Sequence, residues 1–258
     1  MSIKITKDPF GELEELEKCA GLKQRFDDRV LIMTTNDCFE RCEHCTRRWI
    51  LGNTPVVDTP ERLAACVDYI KWRPRVRDVL LSGGDVLTLS DEKVAEFVDA
   101  FAALEQIEII RICTRALVTK PERITPELVE ILARSKKVWV NCHINTADEA
   151  MKARAAAAKL IDRGIPVSSQ TVLLKGINDT RNRMYDLLRS LSAARIRPYY
   201  VFQCDPVSGI HEKFAVPLEK AKKIERYCAE NLGGLALPRF VVDQPNSRRK
   251  MPLDLLAE

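Results

Sequence analysis

Short apolar runs rich in β-branched residues recur along the chain: RVLIMTT (29–35), DVLLSGG (78–84), IEIIRICT (107–114), VWVNCHI (138–144), PVSSQTVLL (166–174), RPYYVFQC (197–204) and RFVVD (239–243). Each has the length of a strand, and longer stretches of helical character separate them, a pattern that predicts parallel βα units. The helix starts are marked as well. Thr59-Pro60 and Thr125-Pro126 set a capping hydroxyl before a proline suited to the first helical position, and Thr146 with Glu149 fits a capping box. No strand run is followed by GxGxxG, which argues against a dinucleotide-type sheet. About six βα repeats and a closing strand predict an α/β fold, a partial TIM barrel of the (β/α)6 type.

The 258 residues contain no serine- or glycine-rich linker, so one barrel core over 25–258 is expected, preceded by an N-terminal segment, 1–24. The N-terminus has no apolar signal region and no run of eighteen apolar residues follows, which predicts a cytoplasmic protein without a membrane partner. The net charge of +4 is spread along the chain and suits anionic small molecules as readily as nucleic acid. Nine cysteines without a signal, and in odd number, point to reduced thiols rather than disulfides. Six of them, Cys19, Cys66, Cys113, Cys142, Cys204 and Cys228, are scattered and mostly in apolar runs, where a thiol serves as a small hydrophobe.

In a βα barrel the working side chains stand just past the C-terminal ends of the strands. Here those positions are polar: Cys38, Cys42 and Cys45 after the first run, Ser82-Gly83-Gly84-Asp85 after the second, Thr114 and Arg115 after the third. The fourth brings Asn141, His143 and Asn145, the fifth Gln170, the sixth Gln203 and Asp205, the last Asp243 and then Lys250. Three cysteines in CxxxCxxC spacing admit two readings. A structural zinc ion would need His44 or a fourth thiolate, although His44 and Cys45 are adjacent and awkward for one tetrahedron. An iron–sulfur cubane held by three thiolates would instead leave one iron open to a small molecule.

CxxxCxxC on the loop after a first barrel strand resembles the signature of the radical S-adenosylmethionine (radical SAM) enzymes, and SGGD at 82–85 is similar to their glycine-rich motif. The resemblance implies a [4Fe-4S] cluster on Cys38, Cys42 and Cys45, with S-adenosylmethionine (SAM) on the fourth iron as the source of a 5′-deoxyadenosyl radical. It implies that Ser82, Gly83, Gly84 and Asp85 approach SAM, the glycines by leaving out a Cβ. Over about residues 24–252 the chain resembles the lysine 2,3-aminomutase family more narrowly, in DRVLIMTTNDC, HCTRR, LLSGGDVLTLSDE, VWVNCHIN, QTVLLKGIND, RPYYVFQCD and FVVDQP followed by Lys250. That family moves an amino group between C2 and C3 of an α-amino acid, with pyridoxal 5′-phosphate (PLP) holding the nitrogen. The resemblance implies Lys250 as the PLP lysine, Arg47 for the substrate carboxylate, His143 and Gln170 for SAM, and Arg25 and Arg29 for the PLP phosphate. Asp205 and Asp243 stand where lysine-specific members grip the distal ammonium, so a basic amino acid is the expected substrate, lysine first. Reduced flavodoxin or ferredoxin is the expected electron donor.

The chain departs from that family in three places. Pro245-Asn246-Ser247-Arg248-Arg249 replaces a run of glycines before the lysine, so the arginines either take over phosphate binding or PLP has been lost. Phe26 replaces a tyrosine, and the chain is a compact version without much of the family's terminal regions, so no oligomeric state carries over. Two other functions stay open on the residues alone. One is a PLP-independent radical SAM enzyme, such as an epimerase, dehydrogenase or macromolecule-modifying enzyme; the other is a zinc-stabilised module binding nucleic acid.

Overall fold

The computed structural model describes residues 4–13, 16–245, 247 and 249–256. Asn246 and Arg248 lie outside the described residues. All seven expected strands occur, as β3 (Arg29–Thr35), β4 (Asp78–Gly83), β5 (Ile109–Thr114), β6 (Val138–His143), β7 (Val167–Leu173), β8 (Arg197–Gln203) and β9 (Arg239–Asp243). They pair in sequence order and in parallel, joined by α1 (Pro60–Lys71), α2 (Asp91–Ala102), α3 (Ala116–Thr119), α4 (Pro126–Ala133), α5 (Ala147–Asp162), α6 (Arg181–Ala193), α7 (His211–Phe214) and α8 (Leu218–Asn231). This is the partial six-unit barrel that the periodicity predicts.

Three strands have no counterpart in that pattern. β1 (Glu17–Cys19) and β2 (Leu22–Phe26) form an antiparallel meander onto β3, and β10 (Lys250–Pro252) folds back on β9. The result is a ten-stranded open sheet with β1 and β10 at its edges. EKC, LKQRF and KMP are short and mostly polar, so no alternation of apolar residues betrays them. What permits the meander is Gly21, at φ +85°, where a Cβ would meet the Val57 side chain at 2.7 Å.

The helix starts form as their caps dictate. Thr59, Thr125 and Thr146 accept from the backbone N–H groups of Arg62, Leu128 and Glu149. Between helices and sheet lies the main apolar core, and a smaller cluster around Val172, Phe202 and Phe214 lies apart from it. α5 contributes Ala150, Ala153, Ala156, Ala157 and Leu160, small side chains that let this helix approach the strands closely. Cys66, Cys142, Cys204 and Cys228 are buried in core clusters as expected, whereas Cys113 lines the barrel interior. Among the described residues no helix is long and apolar enough to cross a membrane.

Candidate active site

The C-terminal ends of the strands open into a cavity of about 680 Å³ lined by nearly every site residue expected from the sequence. Its cysteine loop leaves β3 at Thr35 and is fastened to the end of β4. Gly84 N–H donates to the Thr35 carbonyl at 2.7 Å and Asp85 N–H to the Asp37 carbonyl at 2.7 Å. A Cβ on Gly83 would lie 2.4 Å from the Thr35 oxygen, and one on Gly84 2.0 Å from the Asp37 oxygen. In the chain itself, then, the glycines admit the backbone that carries the cysteines. Asp85 is likewise occupied, accepting from Leu87 N–H (3.1 Å), the Thr114 hydroxyl (2.6 Å) and Arg115 N–H (2.8 Å), which ties the ends of β4 and β5 together. Gly84→Ala is therefore expected to cost about 1–3 kcal/mol by overpacking backbone on backbone. The check is a lowered melting temperature together with less iron taken up on reconstitution.

Cys38, Cys42 and Cys45 are half-buried and line one wall of the cavity. Burial pushes the Cys38 thiol up to about 11, and Cys45, Asp85 and Cys42 add to the effect. Burial also raises Cys42, against the pull of Arg115, whose Nη1 lies 3.3 Å from the sulfur. Arg115 is held in turn by Glu149 at 2.5 Å, and Glu149 accepts from Asn145 N–H at 2.7 Å. Thiols so placed lose their protons readily only to a tightly bound metal, which supplies the charge that burial withholds.

The cysteine wall is not gathered as a single-ion site. Among the described residues no three His, Cys, Asp or Glu side chains are gathered closely enough to share an ion. Asn145 Oδ1 accepts from Val172 N–H, so its amide nitrogen is the group that donates to His44 Nε2 at 3.1 Å. His44, the would-be fourth ligand, thus has one ring nitrogen engaged, and burial first, then Arg115, holds its pKa down to about 4. Three thiols on one loop, facing one cavity but not drawn to a point, fit a cluster that offers each its own iron.

Next to this wall stand His143 and Gln170, register partners on β6 and β7. Burial, then His44, lowers His143 to about 3, and its Nε2 is buried without a partner. An orphaned ring nitrogen facing a cavity suits a polar ligand atom.

The remaining wall carries the charges. Arg47 donates from Nε and Nη2 to the two carboxylate oxygens of Glu12, at 2.6 and 2.9 Å, and from Nη1 to Ser82 Oγ at 3.1 Å. Burial would raise the Glu12 carboxyl, but Arg47 outweighs it and leaves the group below its ordinary value. Asp243 holds Lys250, and Arg25 Nη1 pairs with the same carboxylate at 2.9 Å. Arg25 also donates to the carbonyls of Gln244 (2.6 Å) and Ser247 (2.8 Å), fixing the segment that leads to Lys250. Arg29 lines the cavity with its guanidinium 4.3 Å from the Phe26 ring centre, and Arg249 joins it there. Glu12 is the residue that sequence reasoning missed. It sits in an N-terminal segment without periodicity, and only its contact with Arg47 marks it.

Burial raises Asp205 to about 8, and the neighbouring Asp243 pushes in the same direction while Lys250 opposes. Between the ordinary carboxyl value and that point the folded chain keeps a proton that the unfolded chain has lost, so stability falls as pH rises through the window. Asp205→Asn is expected to flatten this decline. Melting curves from about pH 5 to about pH 8 should show the variant losing fewer degrees than the wild type.

The description "Radical SAM superfamily" matches residues 32–188. L-lysine 2,3-aminomutase of Fusobacterium nucleatum is 41% identical over 247 residues, 95% of this chain and 58% of that protein. Glutamate 2,3-aminomutase of Clostridioides difficile is 34% identical over 247 residues, 95% of this chain and again 58% of that protein. The chain thus spans less than two thirds of the length of these relatives. Among solved structures, SuiB of Streptococcus suis bound to S-adenosylmethionine superposes with a TM-score of 0.63 at 16% identity, over 86% of this chain and 51% of that one. That likeness concerns the fold.

Proposed function

Because the chain belongs to the radical SAM superfamily and, within it, to the lysine 2,3-aminomutase family, we propose that it moves the amino group between C2 and C3 of a basic α-amino acid, lysine first, to give a β-amino acid. The observation that carries this reading is the shared cavity. Cys38, Cys42 and Cys45 line it together with Arg47, Asp205, Asp243 and Lys250. When bound, the cluster with SAM would supply the hydrogen-abstracting radical and PLP would hold the migrating nitrogen.

The chain's own residues divide the remaining tasks. The three thiolates hold the cluster, and His143 Nε2 offers SAM an unpaired buried nitrogen. Arg47 has five N–H donors, three of which Glu12 and Ser82 engage, so a fixed guanidinium still presents two to a substrate carboxylate. Asp205 and Asp243 receive the distal ammonium, beside the ion pairs that Lys250 and Arg25 make with Asp243. Two acids in one enclosed pocket repel unless a cation joins them, which disfavours an acidic side chain there. Lys250 is the PLP lysine, with Arg25, Arg29 and Arg249 nearby for the phosphate. The electron comes from reduced flavodoxin or ferredoxin.

Anaerobic reconstitution with iron, sulfide, SAM and PLP, followed by a product screen over lysine, ornithine, arginine and glutamate, tests the reading. A β-amino acid from a basic substrate and none from glutamate is expected; turnover of glutamate alone would overturn the substrate assignment. Two observations favour a second reading, a PLP-independent radical enzyme. Arg25 is already engaged by Asp243 and two carbonyls, and side chains replace the family's glycines before Lys250. A reconstituted protein that cleaves SAM but takes up no PLP chromophore would select it.

A further inference from the structure

Outside the cavity lining, two thiols meet where the edge strand β1 lies against α1. Cys19 Sγ and Cys66 Sγ are 3.6 Å apart, with Cys66 fully buried and Cys19 half-buried. We propose that this pair is a reversible redox site, in which Cys19 reacts with a low-molecular-weight disulfide and Cys66 then closes an intramolecular disulfide with it.

The contact is already that of touching sulfur atoms, and a bond length of about 2.05 Å requires an approach of only about 1.5 Å. β1 can supply it. The strand has three residues, pairs only with β2 among the described residues, and carries an irregularity in register between Glu17 and Cys19. The roles of the two thiols follow from their surroundings. Either sulfur can donate to the other; with the proton on the buried Cys66, the hydrogen bond lowers the Cys19 thiol, burial and Glu17 work against this, and the Arg73 guanidinium assists it. Cys66 is held well above its ordinary value by the same hydrogen bond and by burial. An accessible thiol favoured as thiolate attacks first, and a protected neighbour resolves. The other buried thiols differ. Cys204 and Cys228 are pushed up to about 12 by burial, and no sulfur contact joins either to another thiol among the described residues.

The exchange is balanced. The Cys19 thiolate attacks one sulfur of glutathione disulfide, breaks its S–S bond and releases one glutathione thiolate. Cys66 attacks the Cys19 sulfur, and its proton leaves with the second glutathione. Two electrons pass from the protein to the small disulfide, and a thiol reductant reverses the process. The bond closes a loop that contains Cys38, Cys42 and Cys45, and it pins to α1 the hairpin whose Lys23, Arg25 and Phe26 wall the cavity. The hairpin would then be fastened under the same oxidising conditions that endanger an iron–sulfur cluster.

The test uses cluster-loaded protein incubated anaerobically with glutathione disulfide, then trypsin digestion without reduction. Residues 19–23 joined to residues 63–71, lighter by two hydrogens and separated again by dithiothreitol, are the expected product. The oxidised protein should also melt several degrees higher, because the bond restricts the unfolded chain. Cys66→Ser should stop at glutathione on Cys19, and Cys19→Ser should leave Cys66 unmodified. A glutathione adduct that persists on wild-type Cys19, a cross-link of Cys19 to the cysteine loop instead, or both thiols still open to alkylation after incubation would overturn the proposal. The wild-type digest decides the matter even if a variant fails to fold.

Discussion

Cys42→Ala, reconstituted anaerobically with iron and sulfide, is expected to produce no 5′-deoxyadenosine from SAM above the rate without protein. Three thiols of one loop face the cavity, with Cys113 apart on β5, and a cubane that loses one of the three keeps too few protein ligands to stay bound. The fold should survive the change. Cys42 lies on a loop whose attachment to β4 runs through the carbonyls of Thr35 and Asp37, and Arg115 keeps Glu149 when it loses the sulfur. Iron and acid-labile sulfide should fall from about four each per chain to a small remainder while the melting temperature of the metal-free protein stays within a few degrees. Wild-type amounts of 5′-deoxyadenosine from the variant, or stoichiometric zinc in anaerobically purified wild type, would sink the radical chemistry.

Lys250→Ala should separate the two halves of the proposed reaction. It is expected to lose the PLP absorbance, to give no protein adduct on borohydride reduction and to stop amino migration entirely. SAM cleavage should continue, slowly and without product. The contacts of Lys250 in the described structure are with Asp243, Phe26 and Phe202, none of which belongs to the cysteine loop. Truncation also removes one of the cations facing Asp205 and Asp243 and leaves Arg25 to neutralise the pair. Mass spectrometry of the reduced wild type locates the adduct. A pyridoxyl group on Lys175 instead, or no adduct while the variant keeps full activity on another substrate, would transfer the chain to PLP-independent chemistry.

The barrel strands were legible because their core-facing positions are apolar and β-branched, which leaves runs such as VLIM and VLL in the sequence. Helix starts were legible because Thr59, Thr125 and Thr146 cap them by local hydrogen bonds between residues three apart. The edge strands β1 and β10 left no such trace, since three residues each are too few to show a period, and in β2 only Leu22 of the apolar residues is fully buried. The cluster cysteines are close in sequence and could be found there. Glu12 meets Arg47 across 35 positions, and Arg25 meets Asp243 across more than two hundred, so those pairings exist only after folding. Arg25 shows the difference best. In the sequence it is one of two arginines about an acidic pair, and in the fold it gathers the segment before Lys250.

The glycine pair at the end of β4 bears on how relatives of this chain should be read across evolution. Both positions are closed to larger residues by the carbonyls of Thr35 and Asp37, whatever small molecule occupies the cavity. A descendant that abandoned radical chemistry but kept the barrel would still be selected to keep Gly83 and Gly84, while its cysteines drifted. Two glycines at this turn are therefore a mark of ancestry, and the thiols beside them are the better witness to catalysis.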